Sequence, residues 1–148
     1  SNGGFDVSPT LVQKDKYRKT KRILNENVSD KINPILRKIV STKEGTAGFA
    51  NVKGYDIGGK TGTADIASLG GYSKKKINTF ASVFPTSNPK FVLVVMLDQP
   101  KANQEFVYHY RDGRNPYKGN WRNTAGWTTV WTTGQIIEKI GPILATKY

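Results

Sequence analysis

The 148-residue chain contains no cysteine and a single histidine, His109. That scarcity removes disulfides, thiolate metal sites, a cysteine nucleophile and any centre built on two histidines. Long apolar runs are lacking too: the longest, Phe91 to Leu97, falls far short of the ~18 residues a membrane span requires. Acidic residues are few, 11 Asp and Glu against 23 Lys and Arg, for a formal net charge of +12. Chemistry therefore falls to hydroxyls, lysines, the few carboxylates and the backbone. The hydrophobic content of 36% suffices for a packed core, and the length fits one domain or part of a larger one. The chain starts on Ser1, with no initiator Met and no signal peptide, so its start is expected to be a boundary within a longer protein.

Phe5 to Val12 reads as an extended segment that Pro9 keeps out of an interior strand or helix. Lys14, Lys16, Arg18, Lys19, Lys21 and Arg22 then crowd a stretch that suits a solvated surface or an anionic partner. From Ser29 onward Ile32, Ile35, Leu36, Ile39 and Val40 fall at helical spacing. Either Ser29 or Asn33 is the candidate N-cap, the second placing Pro34 at the favoured first position, and Gly45 is the candidate terminator.

Residues 55–66 carry four nearby glycines, Gly54, Gly58, Gly59 and Gly62, among β-compatible residues and predict a strand of little bulk. Ile77 to Phe84 predicts a second strand with two occupied faces, and Pro85 to Lys90 a turn. Phe91 to Leu97 never alternates with polar residues, which predicts a strand buried on both faces. Three strands joined by short polar connections imply an antiparallel meander, and with flanking helices the class is α+β. Between Gln99 and Asn123 neither periodicity holds; loops this long are usually functional or mobile. Trp127, Val130, Trp131, Gly134, Ile137, Gly141 and Leu144 return to helical spacing, predicting a C-terminal helix packed on the sheet that Pro142 kinks or ends.

The segment with chemical content is Gly58-Gly59-Lys60-Thr61-Gly62-Thr63-Ala64. A period of two puts Lys60 and Gly62 on one face and Thr61 and Thr63 on the other. For all four to serve one ligand, the strand must lie at a sheet edge and be twisted or bulged, so that a ligand running alongside meets both sets. Gly62 then permits close approach, the ammonium attracts an anion, and the hydroxyls orient its carboxylate. A lysine on a Gly-rich hairpin explains the same residues equally well.

This stretch resembles the K-T-G box of the penicillin-recognising serine enzymes. The likeness extends along the chain: Asn2-Gly3-Gly4 with Pro9-Thr10, Glu44-Gly45-Thr46-Ala47, Gly54-Tyr55, Phe80 to Pro85, Asp98-Gln99-Pro100 and Thr124-Ala125-Gly126-Trp127. In order and content these resemble the C-terminal part of the transpeptidase domain of a class B, septal-type penicillin-binding protein. The resemblance implies a penicillin-binding-protein/β-lactamase-like fold. It also implies a peptidoglycan D,D-transpeptidase working through a serine acyl-enzyme on D-Ala-D-Ala stem peptides, with β-lactams as mimics. Lys60 would then shape the site electrostatically and contact the hydroxyl of the second motif. Thr61 and Thr63 would bind the terminal carboxylate, the Thr63 N–H would be one oxyanion donor, and Gly62 would leave room for the ligand. The implied location is the periplasmic face of a bacterial cytoplasmic membrane, with no cofactor or metal.

The family's S-x-x-K nucleophile helix and S-x-N loop have no credible counterpart here. Ser73-Lys74-Lys75-Lys76 lies in an expected hairpin connection, and Ser87-Asn88-Pro89-Lys90 holds a proline in a turn. Residues 1–148 are therefore expected to be a C-terminal fragment of the domain, inactive alone, whose partner is the N-terminal part of the same domain. An uncovered edge on the Phe91–Leu97 strand would also permit a dimer. A different reading is a nucleic-acid-binding module, because Tyr108, Tyr110, Arg111, Arg114, Tyr117, Lys118, Trp121 and Arg122 interleave aromatics and cations. The transpeptidase reading expects no nucleic acid.

Overall fold

The computed structural model describes residues 2–9, 11 and 21–147, so the basic residues Lys14, Lys16, Arg18 and Lys19, with Thr10 and Val12, lie outside the described residues. The element order is α1 (Glu26–Ser41), a 3-10 turn (Gly48–Ala50), β1 (Gly58–Ser68), β2 (Gly71–Phe84), β3 (Phe91–Asp98), β4 (Val107–Tyr108), β5 (Tyr117–Lys118) and α2 (Thr129–Lys147). β1, β2 and β3 form an antiparallel meander in that spatial order, and β4 and β5 form a small separate ribbon. The α+β class and the meander follow the sequence reading.

α1 begins earlier than either candidate cap. Asn25 is the N-cap, its side chain accepting the Asn27 N–H at 3.1 Å, and Pro34 is carried inside the helix. Ser29 is spent elsewhere: its hydroxyl accepts the Gly3 N–H at 3.1 Å and docks the extended N-terminal segment. Phe5 bridges Arg22 in the same segment, and the Arg22 guanidinium sits 4.4 Å from the Phe5 ring centroid. The helix ends at Ser41 under the Thr42 cap, not at Gly45. Gly45 is needed for close approach instead, since a Cβ there would stand 2.2 Å from the Ile39 carbonyl oxygen.

β2 starts at Gly71, so Tyr72 to Lys76 is strand rather than hairpin connection. The long β1–β2 ladder is broken by an irregularity between Asp65 and Ala67, and Lys76 pairs with Asp65 at 2.6 Å. In α2, Pro142 neither ends nor breaks the helix, which continues to Lys147. Two glycines set how closely α2 packs: a Cβ on Gly134 would meet the Phe49 carbonyl oxygen at 2.4 Å, and one on Gly141 the Tyr55 ring at 2.4 Å.

The core lies between α2, the 3-10 turn and one sheet face. Phe49, Phe80, Ile57, Val40, Val130 and Ile137 are its fully or nearly fully buried members. Segment 99–123 supplies an aromatic cluster to it. Phe49 stacks on Tyr110 at 3.9 Å between centroids, and Tyr108 contacts Phe106, Trp127 and Trp131 edge-on. β3 departs from the sequence expectation, for its residues alternate: Val92, Val94 and Met96 are 57–75% exposed, while Leu93, Val95 and Leu97 are half-buried. The physical reason is that α2 covers one face only. α1 likewise leaves Ile32 and Ile35 exposed.

Candidate active-site strand

Among the described residues β1 is an edge strand of the sheet, one half of the geometric condition the sequence set; the irregularity of the ladder falls between Asp65 and Ala67, past Lys60 to Thr63, which pair in regular register. Lys60 faces Ala81 and Gly62 faces Thr79 across the ladder, while Thr61 and Thr63 face Phe80 and Asn78. Thr61 and Thr63 thus share the face toward α2; Lys60 and Gly62 lie on the opposite, open face.

Each glycine of the segment has a separate cause. A Cβ on Gly58 would meet Thr86 Cγ2 at 2.4 Å and the α1 backbone at 3.0 Å, and one on Gly59 would meet the Ala81 carbonyl oxygen and the Phe80 ring at 2.6 Å. Packing of the chain on itself therefore demands those two. Gly62 differs, because a Cβ there would meet only Thr79, at 3.9 Å. Its bareness serves open space beside the strand, which is where a ligand would approach.

Lys60 is exposed, and its Nζ donates to the Thr61 carbonyl at 2.7 Å, folding back along its own strand. Among the described residues no carboxylate pairs with it. An ammonium has three protons, so two remain for a ligand. Thr61 Oγ1 lies 3.2 Å from Thr46 Oγ1, and Thr63 Oγ1 accepts the Ala125 N–H at 3.0 Å. A hydroxyl held as an acceptor keeps its own proton for donation, so Thr63 is poised to donate to an anion. When Thr61 donates to the same anion, Thr46 must supply the proton shared between the two hydroxyls.

The root of β1 is tied to α1. Arg37 pairs with Asp56 at 3.1 Å and donates to the Ile57 carbonyl at 2.7 Å and Asn51 Oδ1 at 2.9 Å. Asp56 also accepts from the Thr86 hydroxyl at 2.8 Å and the Ser87 N–H at 2.9 Å. Burial opposes its ionisation, but those hydrogen bonds and the Arg37 guanidinium outweigh it and hold its carboxyl below the usual range.

Neither literal S-x-x-K match is an activated serine. Ser73 and Lys76 lie on a strand, where positions three apart point to opposite faces, and Ser73 donates to the Ile66 carbonyl while Lys76 pairs with Asp65. Ser87 sits in the β2–β3 connection on Asp56. Several of the aromatic and cationic residues between 108 and 122 are engaged within the fold. Arg114 lies 3.9 Å over Tyr110 and bonds Asp112, Arg122 lies 4.2 Å over Trp127, and Arg111 pairs with Glu138 and donates to the Phe49 carbonyl. Of the aromatics in this set Trp121 is 88% exposed and Tyr117 43%, while Tyr108 is buried in the core. Thr46, Ala125 and Asn78, which hold the two threonines or face them, were not singled out by the sequence; the first two lay within quoted motifs, but nothing in one dimension assigned them a contact.

Residues 1–135 match the family model described as the penicillin binding protein transpeptidase domain. A probable peptidoglycan D,D-transpeptidase FtsI from Caulobacter vibrioides is 31% identical over 158 aligned positions, covering 99% of this chain and 24% of that protein. A peptidoglycan D,D-transpeptidase FtsI from Buchnera aphidicola is 36% identical over 89 positions, covering 59% of this chain and 15% of that protein. The transpeptidase domain of Burkholderia pseudomallei penicillin-binding protein 3 superposes with a TM-score of 0.62 at 22% identity, over 89% of this chain and 35% of that one. Penicillin binding protein 3 of Mycobacterium tuberculosis, solved with aztreonam, gives 0.56 at 23% identity, over 87% of this chain and 28% of that one. The chain thus spans at most about a quarter of the length of these curated relatives.

Proposed function

The chain belongs to the penicillin-binding protein transpeptidase domain family, and from that premise we propose that residues 1–148 form the C-terminal part of such a domain. It supplies one wall of a serine D,D-transpeptidase site that cross-links D-Ala-D-Ala stem peptides during division and binds β-lactams. The observation that carries this reading is β1: among the described residues an edge strand with an ammonium at Lys60 that no carboxylate pairs, two anchored hydroxyls at Thr61 and Thr63, and open space at Gly62. A terminal carboxylate beside the strand receives the two threonine protons and the field of Lys60. The Thr63 N–H donates to the oxyanion as the carbonyl becomes tetrahedral; losing one such donor costs on the order of 3–4 kcal/mol of barrier. Lys60, on the open face, reaches toward the hydroxyl of the second motif, on the wall that the rest of the domain contributes.

The nucleophilic serine and its lysine come from that other wall: no described serine stands one helical turn before a lysine, Ser73 donates to a backbone carbonyl, and the carboxylate that Ser87 meets, Asp56, is already paired with Arg37 and held ionised. The open sheet face and the outer edge of β3 past Phe91, which no strand among the described residues pairs, are the surface on which the N-terminal part of the domain sits; in its absence they pair with a second copy. The full-length protein works at the periplasmic face of the cytoplasmic membrane, as the family membership suggests; no helix among the described residues is long and apolar enough to cross a membrane. Intact-mass spectrometry with excess fluorescent penicillin tests the reading. The full-length protein should gain one penicilloyl mass on a serine outside residues 1–148, and this chain alone should gain none. A stoichiometric adduct on Ser73, Ser87 or another serine of this chain would overturn it.

A further inference from the structure

Asn78 is fully buried yet polar, and it stands directly across the β1–β2 ladder from Thr63. Its amide nitrogen donates to the Asn123 carbonyl at 2.6 Å and to Thr128 Oγ1 at 2.7 Å. Chemistry fixes which end of the amide is which. A backbone carbonyl can only accept, and Thr128 Oγ1 spends its own proton on the Thr124 carbonyl at 3.0 Å, so both partners require a donor. The two bonds therefore grip both ends of segment 123–128. From the middle of that segment comes the Ala125 N–H that binds Thr63 Oγ1 at 3.0 Å. Asn78 Oδ1 is buried with no hydrogen-bond partner among the described residues, a penalty that an apolar side chain of the same size would avoid. The site retains the amide despite that penalty, and what the amide holds is the donor that orients a ligand-binding hydroxyl.

Resting on the carboxylate-binding role proposed for Thr63, we propose that Asn78 is a positioning residue of the site. Through Asn123 and Thr128 it fixes the Ala125 N–H, which keeps Thr63 Oγ1 an acceptor on that side and directs its proton to the carboxylate of the incoming stem peptide or β-lactam. Without Asn78 the Thr63 hydroxyl turns freely, so ground-state capture of the carboxylate weakens. The oxyanion donor is a backbone N–H of β1, held by the ladder to β2, and stays in place.

The test uses the full-length protein and benzylpenicillin, with the pre-acylation dissociation constant, the acylation rate constant and the titratable fraction measured separately. Asn78→Leu should raise the dissociation constant about tenfold and leave the acylation rate constant within about twofold. Thr128→Val, a milder cut of the same link, should raise it about threefold, and Thr128→Ser, which keeps the hydroxyl, should restore it. In a Thr63→Val background, Asn78→Leu should add nothing, because the residue acts only through that hydroxyl. A fall in titratable fraction with both constants unchanged, or a further tenfold loss in the Thr63→Val background, would overturn the proposal. If Asn78→Leu does not fold, the Thr128→Val and Thr128→Ser pair decides. A parent protein that binds no penicillin refutes the transpeptidase reading instead.

Discussion

On the sheet face beneath α2, Asn78, Phe80, Ser82 and Phe84 are buried, whereas on the opposite face Val92, Val94 and Met96 remain 57–75% exposed. Both faces of β3 are written in the same apolar residues, so the difference lies in what covers them rather than in the strand. α2 and the aromatic cluster complete one layer; α1 reaches the other face only where β1 begins, against Gly58. The row of exposed Val92, Val94 and Met96 belongs to the face proposed above to meet the rest of the domain. Lys60 lies on that same open face and the two threonines on the closed one, so the candidate site straddles the boundary between finished and unfinished layers. Covering the open face excludes water from Lys60 and strengthens its field at a bound carboxylate.

The contrast can be broken most strongly from the closed side. Phe80→Ala should remove about 3–5 kcal/mol from the stability of the isolated chain, read as the urea midpoint, because a fully buried ring leaves a cavity that α2 cannot refill. Gly141→Val should cost about 1–3 kcal/mol in the same measurement, since its Cβ falls 2.4 Å from the Tyr55 ring. Arg37→Ala should cost about 1–2 kcal/mol by releasing the root of β1 from α1. It should also flatten the acid side of the stability profile. Asp56, like Glu138 beside Arg111, has its carboxyl lowered in the folded state. The stability each contributes is present above the unfolded carboxylate value of about 4 and is lost as pH falls below it toward the folded value. Urea melts between pH 5 and pH 3 should therefore drop less steeply in Arg37→Ala than in the parent chain.

The open side should respond least. Val94→Ser should change the stability of the isolated chain by under about 0.5 kcal/mol, because the side chain is already mostly in water. Sedimentation should nonetheless show less self-association than the parent, since the substitution interrupts the exposed apolar row. A loss as large as that of Phe80→Ala would mean that the open face is packed in solution.

The meander and both helices were legible because period two and period 3.6 are local signals, and β1 stood out by its glycines, two of which the structure explains by packing and one, Gly62, by open space. Boundaries were less legible where a residue had two uses. Ser29 is a good cap by type, but Gly3 claims its hydroxyl and the cap falls to Asn25. β3 looked buried on both faces because sequence records what a strand is prepared to touch, not what is present to touch it. For the candidate site, spacing and motif single out Lys60, Thr61, Gly62 and Thr63, which the structure places together on β1. They do not single out Thr46, Asn78 and Ala125, since each acts through a contact across 15 to 62 residues of chain.

The central claim is that β1 forms one wall of a β-lactam-acylated site with Lys60 as its cation. The most direct test is the second-order rate of acylation by fluorescent penicillin in the full-length protein, comparing Lys60→Ala and Thr63→Ala with the parent. The account predicts a fall of at least about a hundredfold for Lys60→Ala, the scale on which removal of one preorganised charge stabiliser is felt. Thr63→Ala should lose mainly affinity, because its backbone N–H survives. Acylation of Lys60→Ala at the parent rate would contradict the assignment of β1 to the active site.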